Sequence, residues 1–212
     1  VVSDDERAAR LAAIAAETAA CTRCRLCQSA VQAVPGDGPP DSAIMFIGEA
    51  PGYYEDRQGR PFVGAAGQLL DELLARIGLR REEVFVTNIV KHRPPGNRDP
   101  SADEIEACAP FLREQIALVD PRVVVTLGRF ALERFMPGAR ISQVHGQARR
   151  VDGRLFMPIL HPAAALHQPA WRSQLEADFE ALRVLLAAGD DGAAAEETGA
   201  PAEPAGEQLA LF

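Results

Sequence analysis

The stretch AIMFIGEAPG, residues 43–52, decides how the rest of the chain is read. Its first half, AIMFIG, is a continuous apolar run of strand length. Its second half is a Gly/Pro turn carrying one carboxylate, Glu49. A strand without polar alternation belongs in a sheet covered on both faces, and such sheets are parallel. Three more runs of the same kind follow: VFVTN (84–88), RVVVTLG (122–128) and RLFMPIL (154–160). Helical segments stand between them. AAGQLLDELLARIG (65–78) has Gly78 as its stop, SADEIEACAPFLREQIALV (101–119) opens on a Ser101–Glu104 capping box, and RFALERFM covers 129–136. Helices over 5–20 and 170–188 complete the set. This alternation predicts an α/β fold: a three-layer α/β/α sandwich with a central four-stranded parallel sheet.

Sites in such sheets form at the carboxyl ends of the strands. Those ends read GEAPG, NIVKHRPPGNR, GRF and HPAAAL, and polar and Gly/Pro-rich residues gather at three of the four. Glu49 can orient a water there, and the backbone N–H groups around it can converge on an oxygen. Asn88 offers a donor and an acceptor side by side, suited to the edge of a base or imide. His161 can donate a hydrogen bond to a developing oxyanion. Phe62, in GRPFVG, can stack on a flat ligand, although alone it reads as a core anchor. Each of these residues singly also suits a structural role. Together, at one edge of one sheet, they describe a grip on a planar polar ligand.

Apolar residues make up 47% of 212, normal for a globular core. No apolar run nears the roughly 20 residues that span a bilayer, so no membrane association is expected. The acidic N-terminal stretch lacks a secretory pattern, and a cytoplasmic protein is expected. The net charge is −8, but Asp190, Asp191, Glu196, Glu197, Glu203 and Glu207 supply most of it. The body is therefore close to neutral and can still carry a basic face for nucleic acid. The basic residues are 21 arginines and a single lysine, Lys91, a skew that by itself says little about function.

CTRCRLC (21–27) places three cysteines in seven positions, and Cys108 is the fourth. In a reducing compartment this argues for a metal or iron-sulfur site over disulfides. On its helix Cys108 shares a face with Ile105, Leu112 and Ile116, so its sulfur points inward. The residues leave two ligand sets open: all four cysteines, or His92 in place of Cys27.

The segments GEAPGYYEDRQGRPFVGAAGQLL, VFVTNIVKHRPPGNR and HPAAAL resemble the iron-sulfur, family-four branch of the uracil-DNA glycosylases. The likeness runs from about Cys21 to Leu185. It implies a monofunctional hydrolase of base excision repair that flips uracil out of DNA, releases it and leaves an abasic site. By this resemblance Phe62 stacks on uracil and Asn88 reads its N3 and O4 edge. His161 steadies charge on O2, aided by backbone N–H groups near Gly48 and Ala50. Glu49 positions the water or stabilises the sugar cation. Glu55 and Asn97 match further motif positions that support this shell, and Leu166 is the wedge of a loop entering DNA.

The resemblance also implies a [4Fe-4S] cluster of structural role. Most family members carry cysteine where this chain has His92. A related branch that crosslinks itself to uracil-containing DNA reads VKH there, with histidine as fourth ligand. The implied ligands are thus Cys21, Cys24, His92 and Cys108, with Cys27 spare. That branch also has GEQPG and an Arg-rich insertion, both missing from this chain, which implies turnover by water instead of a lasting adduct. The alternatives are that covalent binder, or a non-enzymatic nucleic-acid module with a structural Cys/His zinc site.

Residues 189–212, rich in Ala, Glu, Gly and Pro, read as a disordered acidic tail following a 1–188 catalytic body. The tail ends in QLALF, which resembles the pentapeptide by which bacterial repair proteins bind the replication sliding clamp. Gln208, Leu209, Leu211 and Phe212 would be the anchors. The expected partners are uracil-containing DNA and this clamp, and the expected state is a monomer.

Overall fold

The structure, a computed structural model, describes residues 3–166 and 168–188. The acidic tail with Gln208, Leu209, Leu211 and Phe212 lies outside the described residues.

Helix α1 (Asp4–Ala19) starts at Ser3, whose side chain and Glu6 form a reciprocal capping box. Strand β1 (Ile44–Gly48) leads through GEAPG into a short helix, α2 (Tyr53–Gln58), and then α3 (Ala65–Arg76). Gly78 makes the left-handed reversal after α3, at φ 79°, as the sequence predicts. Then come β2 (Phe85–Asn88), α4 (Ala102–Val119), β3 (Val123–Leu127), α5 (Gly128–Phe135) and α6 (Ile141–Val144). The chain continues through β4 (Arg149–Val151), β5 (Arg154–Ile159), α7 (Pro162–Ala165) and α8 (Pro169–Ala187).

The sheet runs β2-β1-β3-β5-β4, and β1, β2, β3 and β5 are parallel. The α/β class and the four parallel strands are as expected, but the sheet has a fifth strand. β4 pairs antiparallel with β5 across a two-residue turn, Asp152-Gly153, with φ of 49° and 78°. Two positive φ values give the hairpin turn whose twist matches its strands. RRV gives no apolar run to reveal a strand because β4 is a half-exposed edge.

Side chains alternate across β1. Ile44 and Phe46 face α3 and α8, through Leu70, Leu73, Leu74, Leu175, Phe179 and Leu182. Met45 and Ile47 face α1 and α4, with Ile14, Phe111 and Leu112. Both faces are therefore covered, and function is left to the strand ends and the loops beyond them. Among the described residues, no helix is long and apolar enough to cross a membrane.

Candidate active site

The strand ends bring Gly48, Phe62, Asn88, Gly128 and His161 together. A Cβ on Gly48 would stand 2.5 Å from Asn88 Oδ1 and 2.6 Å from Phe62 Cζ. Gly128, at φ 83°, abuts the His161 Cβ, and a Cβ on it would fall 2.9 Å away. These glycines let three side chains and two backbones crowd into one corner.

Asn88 ends β2 and is 1% exposed. Its Oδ1 is buried without a hydrogen-bond partner. A buried polar atom left unpaired costs on the order of 1–3 kcal/mol, so an orphan acceptor at a strand end calls for a ligand donor.

Phe62 has a left-handed backbone, φ 55°, which is strained for a bulky residue. Two features hold it there. Gly67 brings the first turn of α3 against the Phe62 carbonyl, with its missing Cβ only 1.8 Å from that oxygen. Glu55, on α2 and buried, accepts the Val63 and Gly64 amides on Oε1, each at 2.9 Å. Glu55 thus acts on the ring through the turn that carries it.

His161 caps α7, and its Nδ1 accepts the Ala163 N–H at 3.1 Å. That bond places the ring proton of the neutral form on Nε2. Desolvation pulls the His161 pKa down to about 4, so at neutral pH the ring is uncharged. Its centroid lies 5.8 Å from that of Phe62. Behind it, Asp178 of α8 accepts His145 Nδ1 at 2.8 Å and the Leu160 N–H at 3.4 Å, tying α8 to the end of β5.

Glu49 is partly buried at the end of β1. Burial raises its pKa to about 7; nearby Asp99 adds to the rise and Arg129 opposes it. Asp99 and Arg129 pair with each other at 2.7 Å. Ala50 packs its side chain toward the α1/α4 core. Leu166 ends α7 and is 39% exposed, an apolar side chain facing solvent beside the site. Asn97, at φ 56°, is exposed and accepts Arg93 Nε at 2.7 Å. Among the described residues, no contact places Asn97 beside Phe62, Asn88 or His161; it lies on the exposed loop after β2.

The cysteine segment meets the same sheet from the α1/α4 side. Cys108 is buried, and Cys21 and Cys24 pack against the same apolar cluster. The Lys91 N–H donates to Cys108 Sγ at 3.3 Å. Burial raises the Cys108 and Cys24 thiols above their ordinary range. Cys27 donates to the Cys24 carbonyl at 3.2 Å. His92 is buried, with its pKa lowered by that burial and opposed by Asp56. Among the described residues, no three His, Cys, Asp or Glu side chains form a closed metal-binding group.

Two residues that matter here carry no clear signal in the sequence. Glu104 does cap α4, through Ser101 N–H at 2.9 Å, but it also accepts two bonds from Arg98 and one from Arg25 at 2.8 Å. Arg25 sits inside the cysteine segment, so Glu104 ties that segment to α4. Lys91, the one lysine of the chain, is fully buried. Its ammonium donates to Thr87 Oγ1 (2.6 Å), the Asn88 carbonyl (2.8 Å) and Gln115 Oε1 (2.7 Å). All three of its donors are used, and the Asn88 backbone is one of the acceptors.

Comparison with known proteins shows the family. The family model of the uracil DNA glycosylase superfamily matches residues 35–187. The chain is 45% identical to a type-4 uracil-DNA glycosylase of Sulfurisphaera tokodaii over 181 residues, 80% of this chain and 81% of the relative. It is 46% identical to a type-4 uracil-DNA glycosylase of Saccharolobus solfataricus over 183 residues, 82% and 85% of the two chains. A type-5 uracil-DNA glycosylase of Thermus thermophilus is 34% identical over 63% of this chain and 80% of its own.

Proposed function

The chain belongs to the uracil DNA glycosylase superfamily, and we propose that it hydrolyses the N-glycosidic bond of uracil in DNA, releasing uracil and leaving an abasic site for repair. One observation carries the substrate reading: the buried, unpartnered Oδ1 of Asn88 beside the Phe62 ring. Uracil brings an N3–H to that acceptor. Cytosine brings a bare N3, so two acceptors would face each other in a dry pocket, and the base is rejected.

The remaining residues divide the chemistry. Phe62 stacks on the extruded base. As the C1′–N1 bond breaks, its electron pair passes into the base, and negative charge grows on O2. His161, neutral and with its proton on Nε2, donates to O2 without giving up that proton. Glu49, ionised, faces the positive charge growing on the sugar and orients a water. The water oxygen bonds to C1′, and its proton passes to the carboxylate. Leu166 fits the role of a wedge in the stack that the base has left.

Cys21, Cys24 and Cys108, with His92 as fourth ligand, suit a [4Fe-4S] cluster. The donor set is soft, and the Lys91 N–H already points at one sulfur, as amides do around cluster thiolates. His92 directly follows Lys91 in the chain, which favours it over Cys27, engaged on the Cys24 carbonyl. When bound, such a cluster supplies a crosslink between the N-terminal segment, α4 and the loop after β2. QLALF, with Gln208, Leu209, Leu211 and Phe212, would recruit the enzyme to a sliding clamp, and deletion of these five residues should abolish clamp binding while sparing activity on short oligonucleotides.

The test of the activity is chromatographic detection of free uracil from a uracil-containing oligonucleotide and none of cytosine from its cytosine counterpart. Asn88→Ala and His161→Ala should each remove most of the rate. Equal release from all three proteins would refute the assignment.

A further inference from the structure

Helix α2 is built inside out. Its carboxylates are buried, Glu55 at 9% and Asp56 at 2% exposure, while Tyr53 and Tyr54 are 46% and 58% exposed. The carboxylates have work inside: Glu55 holds the Val63 and Gly64 amides, and Asp56 accepts the Val31 N–H at 2.9 Å. Those bonds fix the helix's rotation and turn two tyrosines to solvent. Adjacent exposed aromatics lie against the ordinary sorting of side chains and mark a surface that meets something.

The patch also carries two arginines, of which Arg93 lies 3.9 Å from Asp56 Oδ2. The Arg57 and Arg93 guanidiniums lie 5.0 and 5.1 Å from the Tyr53 ring centre, and Arg57 Nη1 donates to the Tyr53 hydroxyl at 2.6 Å. Arg57 has no carboxylate partner among the described residues. Tyr53 serves as the pedestal for both arginines. Tyr54 meets it edge-on, at 5.3 Å and 85°, and keeps more than half of its own surface open.

The patch is continuous with the site. A Cβ on Gly64 would lie 3.4 Å from Tyr54 Cδ2, and Gly64 belongs to the turn that carries Phe62. Arg93 also donates to Asn97, on the loop after β2. A flat aromatic face beside paired guanidiniums, next to a pocket for an extruded base, suits unpaired nucleotides: a base for the ring and a phosphate for the cations.

We propose that the outer face of α2 is a second nucleic-acid subsite, where Tyr54 stacks on an unpaired base neighbouring the uracil and Arg57 and Arg93 hold the adjoining phosphate. This rests on the glycosylase reading for the neighbouring uracil, but it makes its own demand. A stacked duplex hides the faces of its bases, so the subsite favours single strands.

The test is fluorescence anisotropy of the full chain with a labelled single strand bearing a tetrahydrofuran abasic analogue, alongside the matching duplex. Tyr54→Ala should weaken single-strand binding about tenfold and duplex binding less, and Tyr54→Trp should retain it. Arg57→Ala should flatten the salt dependence by about 0.7 in the slope of log K against log salt. Single-strand binding unchanged in Tyr54→Ala, or kept equally well by Tyr54→Leu and Tyr54→Trp, would overturn the proposal. A wild-type protein that leaves uracil in place, yet binds single strands through Tyr54, would sink the glycosylase reading and keep the subsite.

Discussion

Phe62 and His161 stand 5.8 Å apart, ring centre to ring centre, with their planes 31° from parallel. A base sandwiched between two rings needs about 7 Å, one van der Waals contact on each face. The gap is too small, so the two residues serve the base in different ways. In the proposed arrangement Phe62 takes a face of uracil, and His161 reaches its edge through Nε2–H. Asn88 reaches another part of the same edge.

Gly48 stands where Asn88 and Phe62 meet, and a methyl group there would fall within 2.6 Å of both. Gly48→Ala should therefore push the reading amide and the stacking ring apart. A displacement near 1 Å is enough to cost about a hundredfold in kcat/KM. The loss should come with little change in the circular dichroism spectrum, because the clash lies at a strand end, where Phe62 borders the α3/α8 core.

Glu55 acts on Phe62 only through the Val63 and Gly64 amides. Glu55→Ala leaves both donors without their charged acceptor and the left-handed turn without its hold. Charge-assisted hydrogen bonds of this kind contribute about 1.5–3 kcal/mol. Excision should fall by roughly 10- to 100-fold, and the Tm should drop as well. Glu55→Gln, which keeps one acceptor oxygen, should recover part of both.

Much of this was readable from residues alone. β1, β2, β3 and β5 are continuous apolar runs because helices cover both their faces, so burial left its mark on each. β4 left none, since an edge strand with Arg149 and Arg150 half-exposed has no apolar requirement; Asp152-Gly153 was the only local sign of its hairpin. Helix α2 escaped because its polarity is reversed, with Glu55 and Asp56 inside. Asn88 and His161 were legible from their places at strand ends. The work of Lys91 was not, because burial of a lysine depends on Gln115, an acceptor brought from a distant helix. Glu104 reads as a helix cap, and its second task depends on Arg25 arriving from 79 residues away.

The pH profile follows from Glu49. Its pKa is raised to about 7, so the carboxyl is protonated below that value and ionised above it. Since the ionised form faces the sugar cation, kcat/KM should rise with pH through an apparent pKa near 7. His161, with its pKa near 4, is already neutral across that range. Burial is the main cause of the rise; Asp99→Asn removes the charge that adds to it and should move the limb to lower pH. Arg129→Ala removes the charge that lowers it and should move the limb higher. A limb that stays fixed in both variants would assign it to another group.

Glu104 joins the cysteine segment to α4 through Arg25 and Arg98. Glu104→Ala takes the shared carboxylate from Arg98 and Arg25, leaves Arg25 with only Asp103 at 3.7 Å, and undoes a cap. The cost should be on the order of 2–3 kcal/mol, below that of a fully enclosed pair because both arginines stay partly exposed. Thermal unfolding would measure this loss. With the proposed cluster bound, iron per chain in the same preparation should fall too, as the segment carrying Cys21 and Cys24 loosens from Cys108.

The most direct measurement uses an end-labelled oligonucleotide with one uracil, incubated with the protein, split, treated or not with alkali, and run on a denaturing gel. Strand cleavage at the uracil position is expected only after alkali, the mark of an abasic site left by base hydrolysis. A slow band that survives denaturation, or an intact strand in both lanes, would contradict it.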